Sequence, residues 1–159
     1  MSKAIGAVLI MAGSVYLIAN QVRKKRLELD ELQSLIGALR AMEAAIRWKR
    51  QAVPECLKEL EQRKYCGEYF RKIRTLMESG YTLHDAWQHT FQTFPQDIKA
   101  ILLAMEWEGD ELHLLGTLQY TAQGLSELYH QRQVQRRNEN KLLTAAIGSA
   151  AGLLILILL

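Results

Sequence analysis

The sequence holds few residues of the kinds that bind metals or break helices. Its 159 residues include two cysteines, four histidines and two prolines. The closest two histidines, His84 and His89, are five positions apart, so no H-x-x-x-H pair can hold a metal on one helix face. Cys56 and Cys66 are ten positions apart, which is no metal-binding spacing. We therefore expect no metal site.

Motifs that bind phosphates or carry a catalytic nucleophile are also missing. The sequence contains no G-x-x-x-x-G-K-[ST], no G-x-G-x-x-G and no G-x-S-x-G. A cysteine nucleophile would need a positioned base, and the sequence indicates none for either cysteine. We therefore expect no catalytic residue, no cofactor and no enzymatic activity.

Long apolar runs occur at the two ends of the chain, at residues 4–19 and 142–159. As helices they would reach about 24 and 27 Å, close to the thickness of a hydrocarbon core. Basic residues lie on the inner side of both runs: Arg23, Lys24, Lys25, Arg26, Arg136, Arg137 and Lys141. This arrangement predicts two transmembrane helices, residues 4–20 and 142–159, with the middle of the chain in the cytoplasm. A cleaved secretory signal is the alternative for the first run.

Charge is divided between the middle of the chain and its flanks. Residues 27–131 contain 11 Lys and Arg against 16 Asp and Glu, a net charge of −5. The flanking basic residues form a collar that we expect at the membrane surface, attracted to anionic lipids. Because these positive charges are expected to lie against anionic lipids, we expect no nucleic acid partner.

Apolar spacing predicts helices throughout the middle of the chain. Leu32, Leu35, Leu39, Met42 and Ile46 follow one another at intervals of three and four, which is one face of a helix over about 26–51. Further helices are expected from Pro54 to about Ser79, from Thr82, from Pro95 to near Gly109, and from Asp110. In the last helix we expect an inward face of Leu112, Leu115, Leu118, Leu125 and Leu128. The predicted fold is all-α: an antiparallel bundle of about five helices in residues 26–131, flanked by N- and C-terminal transmembrane helices.

Residues 132–141 are polar on almost every face and contain neither proline nor glycine. A helix that is polar all round usually bridges two packed regions. We therefore expect a helical stalk here, joining the bundle to the second transmembrane helix. A flexible linker is the alternative.

Two groups of residues are candidates for contacts with partners. The first is an acidic turn, Glu106, Glu108, Gly109, Asp110 and Glu111, which could dock a basic surface or could simply be a solvated turn. The second is Gly148 with Gly152, whose spacing lets another membrane helix approach closely. Its partner could be the first membrane helix of the same chain or a second copy.

Over its full length the chain resembles stage III sporulation protein AB of endospore-forming bacteria. The resemblance is carried by the opening 3–10, by the helix 39–48 followed by Pro54, by the Asp85-Ala86-Trp87 triplet, and by the ending from Lys141 through Gly148 to 152–159. It implies a component of a multiprotein channel between mother cell and forespore. The implied location is the outer forespore membrane, with the central domain in the mother-cell cytoplasm.

The pattern of residues at 77–83, at Pro95 and at 106–112 is similar to that in the cytoplasmic domain of the type II secretion platform protein. That similarity implies a platform that docks a companion secretion-type ATPase and contacts other membrane proteins of the channel. Two other functions stay open. One is the platform of a general type II secretion or competence pilus system, and the other is a self-assembling membrane scaffold that forms homo-oligomers.

Overall fold

The computed structural model describes the backbone of residues 2–158. Side chains are described for residues 22–142 and at positions 13, 16, 19, 20, 145, 146 and 149. Six helices are present: α1 Ser2–Lys49, α2 Val53–Leu60, α3 Gly67–Glu78, α4 Leu83–Phe91, α5 Gln96–Leu103 and α6 Glu111–Leu158. No strand occurs within residues 2–158, so the all-α prediction is confirmed.

The helices form a closed ring of neighbours. Each helix packs against the next one along the chain, and α6 returns to pack along α1. The two long helices are antiparallel, as three contacts show: Lys25 with Glu139, Gln33 with Tyr129, and Arg50 with Glu111. The ring encloses the core, whose largest fully buried side chains are Trp87, Phe70, Phe91, Leu32, Leu35, Leu39, Met42, Leu57, Ile73, Leu102, Met105 and Leu118.

The expected single helix from Pro54 to Ser79 is wrong, because a turn at residues 61–66 divides it into α2 and α3. Tyr65 adopts a left-handed backbone conformation with φ 71°. Gly67 then starts α3 against the carbonyl of Glu61, where a Cβ would stand 2.3 Å from the oxygen. Only glycine can lie so close to this carbonyl. Gly67 therefore specifies the turn, although the apolar periodicity did not identify it.

The fourth expected helix ends earlier than predicted, at Leu103 rather than near Gly109. Side chains of α4 bind its last carbonyls: Trp87 Nε1 donates to Leu102 O at 2.7 Å and Gln88 Nε2 donates to Leu103 O at 3.2 Å. The last carbonyls of a helix lack backbone partners within the helix, and these side-chain hydrogen bonds satisfy two of them. The helix can therefore end at Leu103.

Two predicted helix starts are confirmed. Thr82 Oγ1 accepts from the backbone N–H of Asp85 at 3.1 Å at the start of α4. Asp110 Oδ1 accepts from the backbone N–H of His113 at 2.8 Å at the start of α6. Both are N-caps, in which a side-chain oxygen satisfies an otherwise open donor of the first turn.

The residues predicted to form the stalk, 132–141, lie inside α6 and are helical throughout. Arg132 Nη2 is 2.6 Å from Asp97 Oδ2, and Lys25 Nζ is 2.6 Å from Glu139 Oε2. The polar segment is therefore joined to α5 and to α1 by ion pairs.

In the part of the chain whose side chains are described, no helix has the length and apolar character needed to cross a bilayer. The predicted transmembrane helices 4–20 and 142–159 lie almost wholly at positions whose side chains fall outside that part.

Candidate functional site

The predicted acidic turn lies at the end of the bundle where α1 stops and α6 begins. Arg50 follows α1 directly, and its Nη1 is 2.5 Å from Glu111 Oε1 in the first turn of α6. This ion pair places the basic end of α1, Arg47 to Arg50, beside the acidic residues 106–111. Charges of both signs are therefore exposed at one end of the molecule.

Between α5 and α6 the side chains alternate between the interior and the solvent. Met105 is buried, and the Trp107 ring packs edge-on against Trp87 with a centroid separation of 4.8 Å. Glu106 and Glu108, which stand on either side of Trp107, are exposed. The inward residues thus fix the segment to the core and hold the two glutamates toward solvent.

Two of the predicted partner-binding residues are explained by the fold itself. Gly109 has φ 120°, a conformation that glycine adopts without strain. Asp110 caps α6 through both its side chain and its carbonyl, which accepts from Leu114 N at 3.0 Å. These residues form the turn that positions their neighbours.

The remaining three acidic residues differ in how they are held. Glu111 is paired with Arg50, and Glu106 Oε2 lies 3.0 Å from His113 Nε2 while 70% of the Glu106 side chain stays exposed. Glu108 makes no ion pair or side-chain hydrogen bond within the described residues. Glu106 and Glu108 are therefore the acidic side chains that a partner could reach.

Two large apolar side chains that were not predicted to lie at the surface are exposed beside this turn. Leu112 is 78% exposed and Tyr120 is 77% exposed, and Gly116 lies between them at helical spacing. We call these three residues the α6 ridge. The prediction that Leu112 is buried is wrong, because it projects about 100° away from the centre of the face that packs on the core. That face is formed by Leu115, Leu118, Ala122 and Leu125.

The sequence contained only a partial signal for the ridge. The spacing of Leu115, Leu118 and Leu125 defines one face of the helix, and Leu112, Gly116 and Tyr120 repeat every four residues on another face. Apolar residues at such spacing usually belong to a buried face, so only the gap at Gly116 distinguished this face from the core-facing one.

The basic collar lies at the opposite end of the described bundle. Between Lys25 and Arg50, α1 rises about 37 Å. Arg23, Lys24, Arg26, Arg137 and Lys141 are exposed there, whereas Arg136 is half-buried between α1 and α6.

Among the described collar residues, Lys25 forms an ion pair with Glu139. Its hydrogen bond to Glu139 lowers the pKa of that carboxyl group and neutralises part of the positive charge. The exposed collar residues that make no ion pair within the described residues therefore carry most of the charge that a lipid surface could meet: Arg23, Lys24, Arg26, Arg137 and Lys141.

The small-residue pair Gly148 and Gly152 lies outside the residues whose surroundings the structure describes. Its proposed role in packing membrane helices stays a prediction.

Neither cysteine is placed for chemistry. Both are buried, and burial raises the pKa of the Cys56 and Cys66 thiols. Ser34 Oγ lies 3.0 Å from Cys66 Sγ and donates to Lys64 O at 2.6 Å. Within the described part of the chain, no three His, Cys, Asp or Glu side chains are grouped so that they could hold a metal ion.

These features define a class of protein: an all-α chain in which two long antiparallel helices hold four short ones and expose a charged and apolar surface where they meet. The chain belongs to the Stage III sporulation protein AB family, whose model matches residues 3–159. No curated protein and no solved structure matched the chain.

Proposed function

We propose that this chain is a membrane-anchored platform of the channel complex between mother cell and forespore, without enzymatic activity of its own. Family membership supports a role in sporulation. In this proposal, transmembrane helices at 4–20 and 142–159 hold the chain in the outer forespore membrane. The domain formed by residues 26–131 then faces the mother-cell cytoplasm, and the basic collar lies against anionic lipid.

The observation that carries the docking proposal is the position of Glu106 and Glu108. Both are exposed at the end of the bundle opposite the collar, about 37 Å along α1 from Lys25. A soluble partner approaching from the cytoplasm meets this end first. We propose that a basic surface of the companion secretion-type ATPase binds there, and that other channel proteins contact the membrane segments.

The mechanism that follows is mechanical. Half of the buried core residues come from α1 and α6, and each of these helices continues without interruption toward its terminus. Ion pairs from Lys25 to Glu139 and from Asp97 to Arg132 join the neighbouring helices along the way. A displacement produced by the ATPase at the acidic end therefore reaches the terminal segments without passing through a flexible linker.

The test is a charge reversal that spares the helix cap. Asp110 is left unchanged because it caps α6, and Glu111 because it pairs with Arg50. The variant Glu106→Lys/Glu108→Lys is expressed as the full chain in sporulating cells and captured in mild detergent. We expect loss of the co-purifying ATPase, with an unchanged circular dichroism spectrum and melting temperature.

The matched control is Glu59→Lys/Glu127→Lys, which makes the same change in net charge at exposed positions of α2 and α6. It is expected to retain the ATPase. Capture of the ATPase by a folded Glu106→Lys/Glu108→Lys chain would show that the acidic turn is not the docking site. Loss of the ATPase from both variants would assign the effect to net charge and would also reject the site.

A further inference from the structure

A groove on the side of the bundle, here called the lateral groove, has no part in the docking of an ATPase at the acidic turn. It lies between α1 and the segment that joins α4 to α5, and its volume is about 290 Å³. Its charged and aromatic lining residues are Glu28, Glu31, Tyr69, Phe94 and Arg132. Pockets for small molecules usually span about 300–1,000 Å³, so a groove of this size suits a single side chain of a partner.

The lateral groove is acidic. Glu28 is exposed and makes no ion pair with any described residue, including Arg136, with which it borders an adjoining groove. Glu31 likewise has no ion pair in the described part of the chain. Arg132 is the positively charged member of the lining, and its Nη2 is 2.6 Å from Asp97 Oδ2. Two carboxylates of the groove are therefore left without a cation.

Aromatic rings stand beside these carboxylates. The Tyr69 hydroxyl donates a hydrogen bond to Glu31, and the Phe94 ring packs edge-on against the Tyr69 ring with a centroid separation of 4.9 Å. Burial raises the pKa of Tyr69, and the carboxylates of Glu31 and Glu68 raise it further, as expected in a negative potential. A guanidinium group pairs with carboxylates and stacks on aromatic faces, so these surroundings suit an arginine.

An exposed arginine at a matching height lies on the opposite face of α1. Arg26 belongs to the collar and makes no ion pair within the described residues, not even with Asp30 one turn away. It projects about 160° from Glu28 and about 140° from Glu31, so it cannot enter the groove of its own chain. Along the helix axis the two glutamates lie only about 3 and 8 Å from it. In chains held at one height, Arg26 of one copy therefore stands level with the groove of the next.

We infer that the lateral groove receives Arg26 of a second copy of this chain, so that copies join side by side in the membrane. The contact joins two different surfaces and leaves one of each open, so further copies can add until a ring closes about the bilayer normal. The inference rests on the proposed function, because membrane anchoring keeps the copies parallel and at one height. Confinement to one bilayer also raises their effective concentration and allows so small a contact to form.

Cross-linking of two differently tagged full chains in the same membrane tests the inference. The groove chain carries Thr93→Cys in the lining of the groove, and the arginine chain carries Gln33→Cys, two turns from Arg26 on the same face of α1. Both positions are exposed. A short bismaleimide should link the groove chain to the arginine chain, whereas neither variant expressed alone should link to itself. The native Cys56 and Cys66 are buried and give no background.

The matched control replaces Thr93→Cys by Lys72→Cys, which is exposed on α3 and is not part of the groove lining. It should give no product with the arginine chain. Equal yields from Thr93→Cys and Lys72→Cys would indicate random collision, and no product from either would mean that the two surfaces do not meet. Either result overturns the inference, as does linkage of Thr93→Cys to itself or to a different protein.

Charge exchange provides a second measurement, because each chain of the cross-linked pair can be changed separately. Glu28→Arg in the groove chain alone, or Arg26→Glu in the arginine chain alone, should lower the yield several-fold by placing like charges together. The two changes combined should restore it. Glu55→Arg in the groove chain makes the same change in net charge at an exposed position of α2 and should leave the yield unchanged. Failure of the combined pair to recover, with both chains folded by thermal melting, contradicts the inference.

Membrane fractionation and ATPase capture separate this inference from the proposed function. A chain that fractionates with the membrane and captures the ATPase but gives no specific cross-link refutes only the contact between copies. A chain that cross-links but captures no ATPase refutes only the docking site. A chain found away from the membrane refutes both, because nothing then aligns the copies.

Discussion

The backbone of Glu61 lies so close to Gly67 that it excludes any side chain at position 67. A Cβ at Gly67 would lie 2.3 Å from the carbonyl oxygen and 3.0 Å from the carbonyl carbon of Glu61. The Glu61 side chain is held in turn by Arg74, whose hydrogen bond lowers the pKa of the Glu61 carboxyl group. The turn between α2 and α3 is therefore fixed by a backbone contact and an ion pair together.

Replacing Gly67 by alanine should destabilise the fold strongly. Neither the Glu61 carbonyl nor the new methyl group can move without distorting the turn, and overpacking of this kind costs about 1–3 kcal/mol or more. Urea unfolding of the full chain in detergent measures the loss. Gly116→Ala is the matched control: its Cβ meets nothing, so the helix should gain about 0.5–1 kcal/mol. Equal effects of the two substitutions would contradict the close approach at Gly67.

The hydrogen bond from Trp87 to Leu102 predicts a cost for removing a single donor. Trp87→Phe keeps an aromatic ring in the core but leaves the buried Leu102 carbonyl without its indole partner. Leu102 O keeps its backbone contact with Met105 N at 3.4 Å, so the lost indole hydrogen bond itself costs about 0.5–1.5 kcal/mol, and the smaller ring adds a cavity. The free energy of unfolding should fall accordingly.

The control for this substitution is Trp48→Phe, because Trp48 is 79% exposed. Its effect should stay within about 0.5 kcal/mol. A Trp87→Phe protein as stable as Trp48→Phe would mean that the bond does not hold the end of α5.

The Asp97–Arg132 pair predicts a loss of stability in acid. Burial by itself raises the pKa of Asp97, but the hydrogen bond from Arg132 and one from the backbone of Ile98 lower it overall. The unfolded chain then binds a proton more readily than the folded one. The contribution of the pair is therefore complete above the ordinary aspartate pKa, about 3.9, and is lost as the pH falls through that value toward the lower folded pKa.

Arg132→Gln should make the acid dependence of unfolding shallower below about pH 4. Because the Asp97 side chain is 45% exposed, the stability difference at neutral pH should not exceed about 1 kcal/mol. Thermal melting between acid and neutral pH measures both quantities. Arg137→Gln removes an exposed charge from the same part of α6 and should leave the profile unchanged. Identical profiles for the two variants would count against the pair.

Local signals in the sequence were sufficient to predict several elements of the fold. Thr82 and Asp110 were expected to start helices, and both cap them. The periodic apolar positions of α1 from Leu32 to Ile46 are all buried. Such features depend on a few neighbouring residues, so a single sequence contains the information.

The features that were missed depend on contacts that a helical apolar pattern does not show. The end of α5 is set by side chains of α4, and the turn before Gly67 is set by an approach of backbone to backbone. Neither is visible as a break in helical periodicity. At the candidate site, the acidic residues were found because their charge is read directly from the sequence. Leu112 was assigned to the core because its spacing from Leu115 fits a helical face.

The pairing of α1 with α6 also determines when the chain can fold during synthesis. The inward face of α1 is complete once Ile46 has been made, but the α6 residues that cover it begin at Leu115. Translation of the intervening stretch, roughly 70 residues, takes roughly 4–14 s at ordinary rates. Throughout that interval the apolar face of α1 has only the short helices to cover it. The nascent chain is therefore most open to aggregation, proteolysis or chaperone binding until its last third emerges from the ribosome.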